Sequence, residues 1–146
     1  MQMKDLQQLI DILPQKYPFR MIDEIVEFKE GISLTAVKNI TGDEWVYGGQ
    51  NTQLDHYPET LIIEAAAQAA LILYHFSMIK NFSVKPKYIV GKVKAEFLSK
   101  IYVGDQVTLH AKATKLLVSG GYSEIEVKST KLLISNMVLF FSVKDE

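Results

Sequence analysis

One apolar segment, residues 61–74, limits the folds that this 146-residue sequence can adopt. Segments in which polar and apolar residues alternate flank it. Five alanines stand among its larger aliphatic side chains, and only Glu64 and Gln68 interrupt it. The segment is too short and too polar for a membrane span of ~20 residues. An apolar helix that does not span a membrane has to be buried, so the rest of the chain is expected to cover it.

The remaining sequence supplies mostly strands. Residues 5–13 have helical spacing, residues 21–28 and 32–40 predict a hairpin, and the long helix is expected over 59–79. Four further strands are predicted over residues 88–98, 106–117, 122–133 and 136–143. This order predicts one α+β domain, residues 1–146, in which an antiparallel sheet wraps the long helix. Because such a sheet has open edges, edge-to-edge pairing into a dimer or larger assembly is expected.

Composition excludes several kinds of site. The chain has no cysteine, and the spacing of its three histidines does not match a metal site, so neither a metal nor a cofactor is predicted. The N-terminal residues lack the apolar core of a signal peptide, which favours a cytoplasmic protein. A net charge of -1 and the lack of a recognisable motif argue against nucleic-acid binding.

Charge is unevenly distributed along the chain. Residues 80–100 contain six lysines and a single acid, Glu96. One interpretation is a set of solvated strand edges. The other is a shallow basic surface, including Lys85 and Lys87, that meets an acidic protein or a phosphate group.

Glu64 is the candidate for chemistry within the apolar helix. Gln68 lies four residues later and therefore on the same face. A carboxyl among alanines is desolvated, as acid–base catalysts often are. The alternative is a structural glutamate that hydrogen-bonds Gln68 near the start of the helix, where acids are common.

Five segments, in order and with natural spacing, resemble one known family. They are residues 13–19 (LPQKYPF, beside LPHRYPF), 38–44 (KNITGDE, beside KNVTxNE), 61–70 (LIIEAAAQAA, beside LIIEAMAQAA), 91–97 (GKVKAEF, beside GIDKARF) and 103–106 (VGDQ, beside PGDQ). Together they resemble the hotdog-fold 3-hydroxyacyl-acyl-carrier-protein dehydratases of fatty acid synthesis, the FabZ-like family. The resemblance spans nearly the whole chain.

The resemblance implies roles for Glu64 and Gln68. In the family, the helix glutamate works with a histidine fourteen residues earlier, and the two belong to facing protomers of a dimer. The histidine removes the α-proton of the substrate, and the acid serves the departing 3-hydroxyl. The resemblance thus implies Glu64 as a catalytic residue and Gln68 as a substrate-binding residue. It also implies an acyl chain on the phosphopantetheine of acyl carrier protein as the ligand.

The sequence departs from the family at two places. Gln50, beside Gly49, stands at the histidine position, and a carboxamide is no base at neutral pH. It can still orient a thioester or a hydroxyl. Tyr57-Pro58-Glu59 replaces the family's MPG, so bulk and negative charge enter where the thioester is expected. Gly49, Pro58 and Glu59 are therefore further substrate-binding candidates.

The departures favour a protein that binds acyl-carrier-protein-linked chains, with weak or no dehydratase activity alone, and that partners an active dehydratase homologue. One alternative is an active hydro-lyase or acyl thioesterase with a rearranged site built on Glu64 and His56. His56 is otherwise read as a loop histidine that packs near Pro58. The other alternative is a non-catalytic module that binds acyl ligands. The sequence alone leaves open whether the chain is an enzyme.

Overall fold

The computed structural model describes residues 3–16, 19–44, 56–82, 86–130 and 132–144. This part of the chain forms two α-helices and six strands, with short 3₁₀ turns, Leu9–Ile12 and Ile79–Asn81, after the helices. The elements are α1 (Met3–Gln8), β1 (Glu24–Lys29), β2 (Ser33–Asn39), α2 (Glu59–Met78), β3 (Lys87–Phe97), β4 (Gln106–Leu117), β5 (Gly120–Lys128) and β6 (Leu133–Lys144).

The six strands form one antiparallel sheet in the order β1-β2-β4-β5-β6-β3. Strands β4, β5 and β6 follow one another as a meander, since each pairs with the next along the chain. Strand β3 pairs with the far side of β6, although it precedes β4 in sequence. The two edges of the sheet are therefore β1 and β3.

The strand register separates an inner face from an outer face. Ala36 lies opposite Leu109, which lies opposite Val127, and all three are fully buried. The adjacent row, Thr35 with His110 and Glu126, points to the other side and is polar. This period of two is the pattern expected of a sheet with one covered face.

Helix α2 is the element that covers the inner face. Its alanines are small enough for the sheet to approach closely, and Ala66, Ala69 and Ala70 are fully buried, as are Ile72 and Leu73. With the turn after it, the helix is long and apolar enough to cross a membrane, but 67% of its apolar window is buried inside the protein. The sequence argument from length and polarity is therefore wrong, although its conclusion holds, because burial shows that within the described residues α2 is a core helix.

Bulges let the sheet wrap around this helix. The pairing register shifts between Ile25 and Glu27, between Val90 and Lys92, and between Ala113 and Lys115. An extra residue bends its strand and increases the local twist. Because the bulges lie in β1, β3 and β4, both edges and the middle of the sheet curve.

Helix α2 does not cover all of edge strand β3. Val90 is 41% exposed although its cross-strand neighbour, Phe141, is only 5% exposed. Ile89 is also exposed. An eleven-residue edge with exposed apolar side chains is a surface that natural proteins normally cover or pair.

The structure confirms the predicted fold: an antiparallel sheet around one long helix is the hotdog architecture. Strand β4 has the predicted bounds, and α2 ends one residue early. The predicted strand over residues 122–133 is wrong at its end, because β5 stops at Lys128 and Leu133 already belongs to β6. A turn closed by Ser129 and Leu132, N–H to C=O at 2.9 Å, separates the two strands.

The β4–β5 hairpin supplies a stability test. A Cβ atom added at Gly121 would lie 2.0 Å from the carbonyl oxygen of Lys115, whereas at Gly42 the nearest atom, on Val103, is 3.9 Å away. We expect Gly121→Ala to lower the free energy of unfolding by about 2–3 kcal/mol, since a backbone atom has to move. Gly42→Ala is the control and should change it by less than ~1 kcal/mol. Urea denaturation measures both, and equal effects would contradict the crowding seen at Gly121.

Candidate active site

Gln68 joins helix α2 to the segment that precedes β1. Its side chain is fully buried, and its Oε1 accepts a hydrogen bond from the Met21 backbone N–H at 2.8 Å. Its Nε2 donates to the Phe19 carbonyl at 2.8 Å and to Glu64 Oε1 at 3.0 Å. A buried amide is stable only when its donors and acceptor are paired, and here all of these contacts are short.

Glu64 lies one turn before Gln68 at the margin of the core. Its side chain is half-buried, and Oε1 accepts from Gln68 and, at 3.4 Å, from Gln15 Nε2. The i,i+4 spacing thus brings Glu64 and Gln68 into direct contact, as the sequence predicts. Two amide donors fix the position of one carboxylate oxygen.

Gln15 is a member of this cluster that sequence reasoning missed. It lies in the segment 13–19, which matched the family opening, where the family has a histidine. Its backbone carbonyl accepts from Arg20 Nε at 3.1 Å, and Arg20 also donates to Leu13. The only signal for Gln15 in the sequence was its place in that motif, because its contact with Glu64 joins residues 49 positions apart.

His56 lies on another side of α2 within the same chain. It lines a small space with Ile62, Phe97 and Ile101, and the backbone N–H of its neighbour, Tyr57, donates to Ile101 at 2.7 Å. Ile62 precedes Glu64 by two positions, and side chains two positions apart on a helix point about 200° apart. His56 therefore lies against the side of α2 that is nearly opposite Glu64. Among the described residues the buried His56 Nδ1 has no hydrogen-bond partner.

The other two histidines lie far from Glu64. His75 Nδ1 shares a 2.6 Å hydrogen bond with the Tyr88 hydroxyl, and it is ~16 Å along the helix axis from Glu64. Burial raises the pKa of the Tyr88 phenol, and nearby Tyr74 raises it further, so the phenol stays protonated at neutral pH. His110 is on the outer face of the sheet, where its Nδ1 pairs with Thr35 at 2.8 Å.

A buried ion cluster anchors the start of α2. Lys38, whose side chain is 8% exposed, lies 3.0 Å from Glu44 and 3.8 Å from Asp23. The Tyr57 hydroxyl donates to the same Glu44 oxygen at 2.8 Å. A buried cation needs such partners, so this cluster fixes Tyr57, and with it Pro58, in front of the helix. The sequence placed Lys38 and Glu44 in a family motif and Tyr57 among the departures, but it did not predict these contacts.

Six further candidates complete the predicted site. Glu59 is exposed in the first turn of α2, directly after Pro58, whose carbonyl accepts from the Leu61 N–H at 3.1 Å. Lys87 is exposed at the beginning of β3. Gly49, Gln50 and Lys85 lie outside the described residues, and their roles stay predictions.

Comparison with known proteins identifies relatives over nearly the whole chain. The family model of the FabA-like domain matches residues 13–136. The 3-hydroxyacyl-[acyl-carrier-protein] dehydratase FabZ of Chlamydia pneumoniae is 30% identical over 142 residues, which cover 97% of this chain and 93% of the relative. That of Pseudoalteromonas translucida is 34% identical over 112 residues, covering 76% and 74%.

Solved structures share the fold at low identity. The dehydratase heterocomplex ApeI:P from Xenorhabdus doucetiae matches with a TM-score of 0.77 and 13% identity, over 94% of this chain and 91% of that one. A Streptococcus mutans protein bound to acetyl CoA matches with a TM-score of 0.70 and 11% identity, over 92% and 97%. At such identities the likeness shows the hotdog fold alone.

The contacts of Gln68 give a second test of stability. Gln68→Leu would leave the buried Met21 N–H without the acceptor that Gln68 provides, and it would remove the hydrogen bonds to the Phe19 carbonyl and to Glu64. We expect the free energy of unfolding to fall by about 1–3 kcal/mol, because a buried unpaired group costs ~1–3 kcal/mol. Gln8→Leu, the same change at an exposed glutamine, should be close to neutral in urea denaturation. A Gln68→Leu protein as stable as Gln8→Leu would show that the amide contacts contribute nothing.

Proposed function

The chain belongs to the FabA-like family of 3-hydroxyacyl-acyl-carrier-protein dehydratases, and from this premise we propose that it binds acyl chains carried by acyl carrier protein and is a weak dehydratase on its own. The observation that carries the proposal is the held carboxylate of Glu64, which Gln68 and Gln15 position at the margin of the core. A glutamate at that place on the central helix is the acid of the family's site, and its protonated carboxyl group is the form that can give a proton to the departing hydroxyl.

The chain lacks a catalytic base at the position where the family has a histidine. Dehydration needs a base to remove the α-proton and an acid to protonate the departing 3-hydroxyl, which leaves as water. Gln50 stands where the family has its base, and a carboxamide cannot accept that proton. The three histidines of the chain are all described, and each lies away from the Glu64 of its own chain.

A partner subunit with an intact histidine would complete the site. The family places the two catalytic groups on facing protomers, so one histidine-bearing homologue could serve the Glu64 of this chain. The exposed edge of β3 supports such pairing, since an edge strand offers free backbone hydrogen-bonding groups to a second sheet. The dehydratase heterocomplex ApeI:P shares the fold of this chain, so the fold is compatible with such an assembly.

The lysines near β3 fit a carrier protein as the donor of the acyl chain. Lys87 and Lys92 are exposed on this edge strand, and Lys85 precedes it in sequence. Cationic side chains around a site steer an acidic partner towards it and set its orientation. The reaction uses no cofactor in this scheme, and we place the protein in the cytoplasm with the rest of fatty acid synthesis.

His56 gives the second candidate function specific support. Its Nδ1 is buried without a partner among the described residues, so this nitrogen is available to a ligand or to a partner subunit. If His56 reaches a facing protomer's Glu64, the chain is a working hydro-lyase or thioesterase with a relocated base. A binding module without catalysis is the remaining alternative, distinguished by capture of free acyl ligands without carrier protein.

Turnover by the purified chain separates these functions. We expect dehydration of a 3-hydroxyacyl thioester at a rate roughly 10²–10⁴-fold below a competent dehydratase, the usual loss for a missing base. Gln50→His should recover part of that rate, and Gln50→His with Glu59→Gly should recover more, since the second change removes bulk and charge at the helix start. Product formation is followed by absorbance of the conjugated enoyl thioester.

Two controls make the result decisive. Asn51→His introduces the same imidazole one residue away and should leave the rate unchanged. Normal turnover by the unchanged chain that His56→Ala abolishes would overturn the proposal in favour of the relocated base.

A further inference from the structure

The Gln15 amide is only half paired. Its Nε2 donates to Glu64 Oε1 at 3.4 Å, while its Oε1 is buried and lacks a hydrogen-bond donor among the described residues. The opposite orientation of the amide would turn its carbonyl oxygen towards the carboxylate, so the observed one is the favourable choice. A buried carbonyl oxygen without a donor is costly, and it therefore attracts any donor that a ligand brings.

The neighbouring contacts hold Gln15 in this position. Arg20 donates to the backbone carbonyls of Gln15 and Leu13 at 3.1 Å and 3.3 Å, and it forms an ion pair with Asp11 at 3.5 Å. Met21 and Phe19 are tied to Gln68 on the other side. The side chain thus extends from a braced segment, and a preorganised acceptor loses little entropy when a ligand binds.

Glu64 and Gln15 differ in what they can still accept. Glu64 Oε1 already accepts two amide hydrogens, whereas Gln15 Oε1 accepts none from the residues that the structure describes. A hydroxyl carries a single hydrogen to donate and two lone pairs. A hydroxyl that enters beside Glu64 can donate its hydrogen to Gln15 Oε1 and keep its lone pairs for other contacts.

We propose that Gln15 is a specificity-determining residue, whose carbonyl oxygen accepts the hydroxyl hydrogen of a 3-hydroxyacyl chain bound beside Glu64. The inference rests on the proposed function, because that function brings the acyl chain to this place. It adds that the chain distinguishes hydroxylated acyl groups from saturated ones, and that a residue outside the helix makes the distinction.

Titration calorimetry with two probes tests this role. The probes are acyl carrier protein with a 3-hydroxydecanoyl or a decanoyl group on its phosphopantetheine arm, both as amide analogues whose α-protons are too weakly acidic for turnover. We expect the unchanged protein to bind the hydroxylated probe roughly tenfold more tightly, the effect of pairing one buried acceptor. Gln15→Leu should bring the ratio of the two affinities close to one and leave the affinity for the decanoyl probe nearly unchanged.

Gln8→Leu is the matched control, since it makes the same change at an exposed site and should keep the tenfold ratio. Thermal melting checks folding, and Gln15→Ala gives the same ratio test if Gln15→Leu is unstable. A ratio that Gln15→Leu and Gln15→Ala leave unchanged, or equal affinities in the unchanged protein, would overturn the inference alone. Failure of the unchanged protein to bind either probe would overturn the proposed function and this inference together.

Discussion

Placing an almost wholly apolar helix inside a sheet buries the amide of Gln68, whose hydrogen bonds have to be satisfied within the core. The Phe19 carbonyl and the Met21 N–H satisfy two of them. These two hydrogen bonds hold the segment before β1 against α2. The third hydrogen bond of the Gln68 amide, to Glu64 Oε1, positions Glu64. The candidate site is therefore a consequence of how the core accommodates a polar group, and its geometry should persist without ligand.

A second buried polar group fixes the other approach to the helix. Lys38 lies among Glu44 and Asp23, and Glu44 in turn accepts from the Tyr57 hydroxyl. A cation enclosed in this way is strongly destabilising if one carboxylate is lost. The end of β2 and the start of α2 are consequently held together, while Gln15 and Gln68 hold the opposite side. Glu64 lies between two braced segments that belong to one chain.

The sequence predicted those parts of the fold that depend on local pattern. Both ends of strand β4 were predicted correctly, because its alternating sequence lies between Gly104-Asp105 and Ser119-Gly120-Gly121. The boundary between β5 and β6 was missed, since Leu132 and Leu133 are both apolar and only the turn at Ser129 separates the strands. Glu64 and Gln68 were paired by helix spacing, whereas Gln15 and the Lys38 cluster depend on contacts between distant segments. Period and motif do not encode such contacts.

We infer that Glu64 can act as the catalytic acid and that its site lacks only a histidine from a facing subunit. The most direct test of this inference is complementation with a FabZ relative whose own helix glutamate has been replaced by glutamine, so that each protein alone lacks one catalytic group. The two chains are refolded together, hetero-assembly is checked by native mass spectrometry, and dehydration of a 3-hydroxyacyl thioester is measured. The account predicts activity in the mixture and none when this chain carries Glu64→Gln. A hetero-assembly that forms and stays inactive would contradict it.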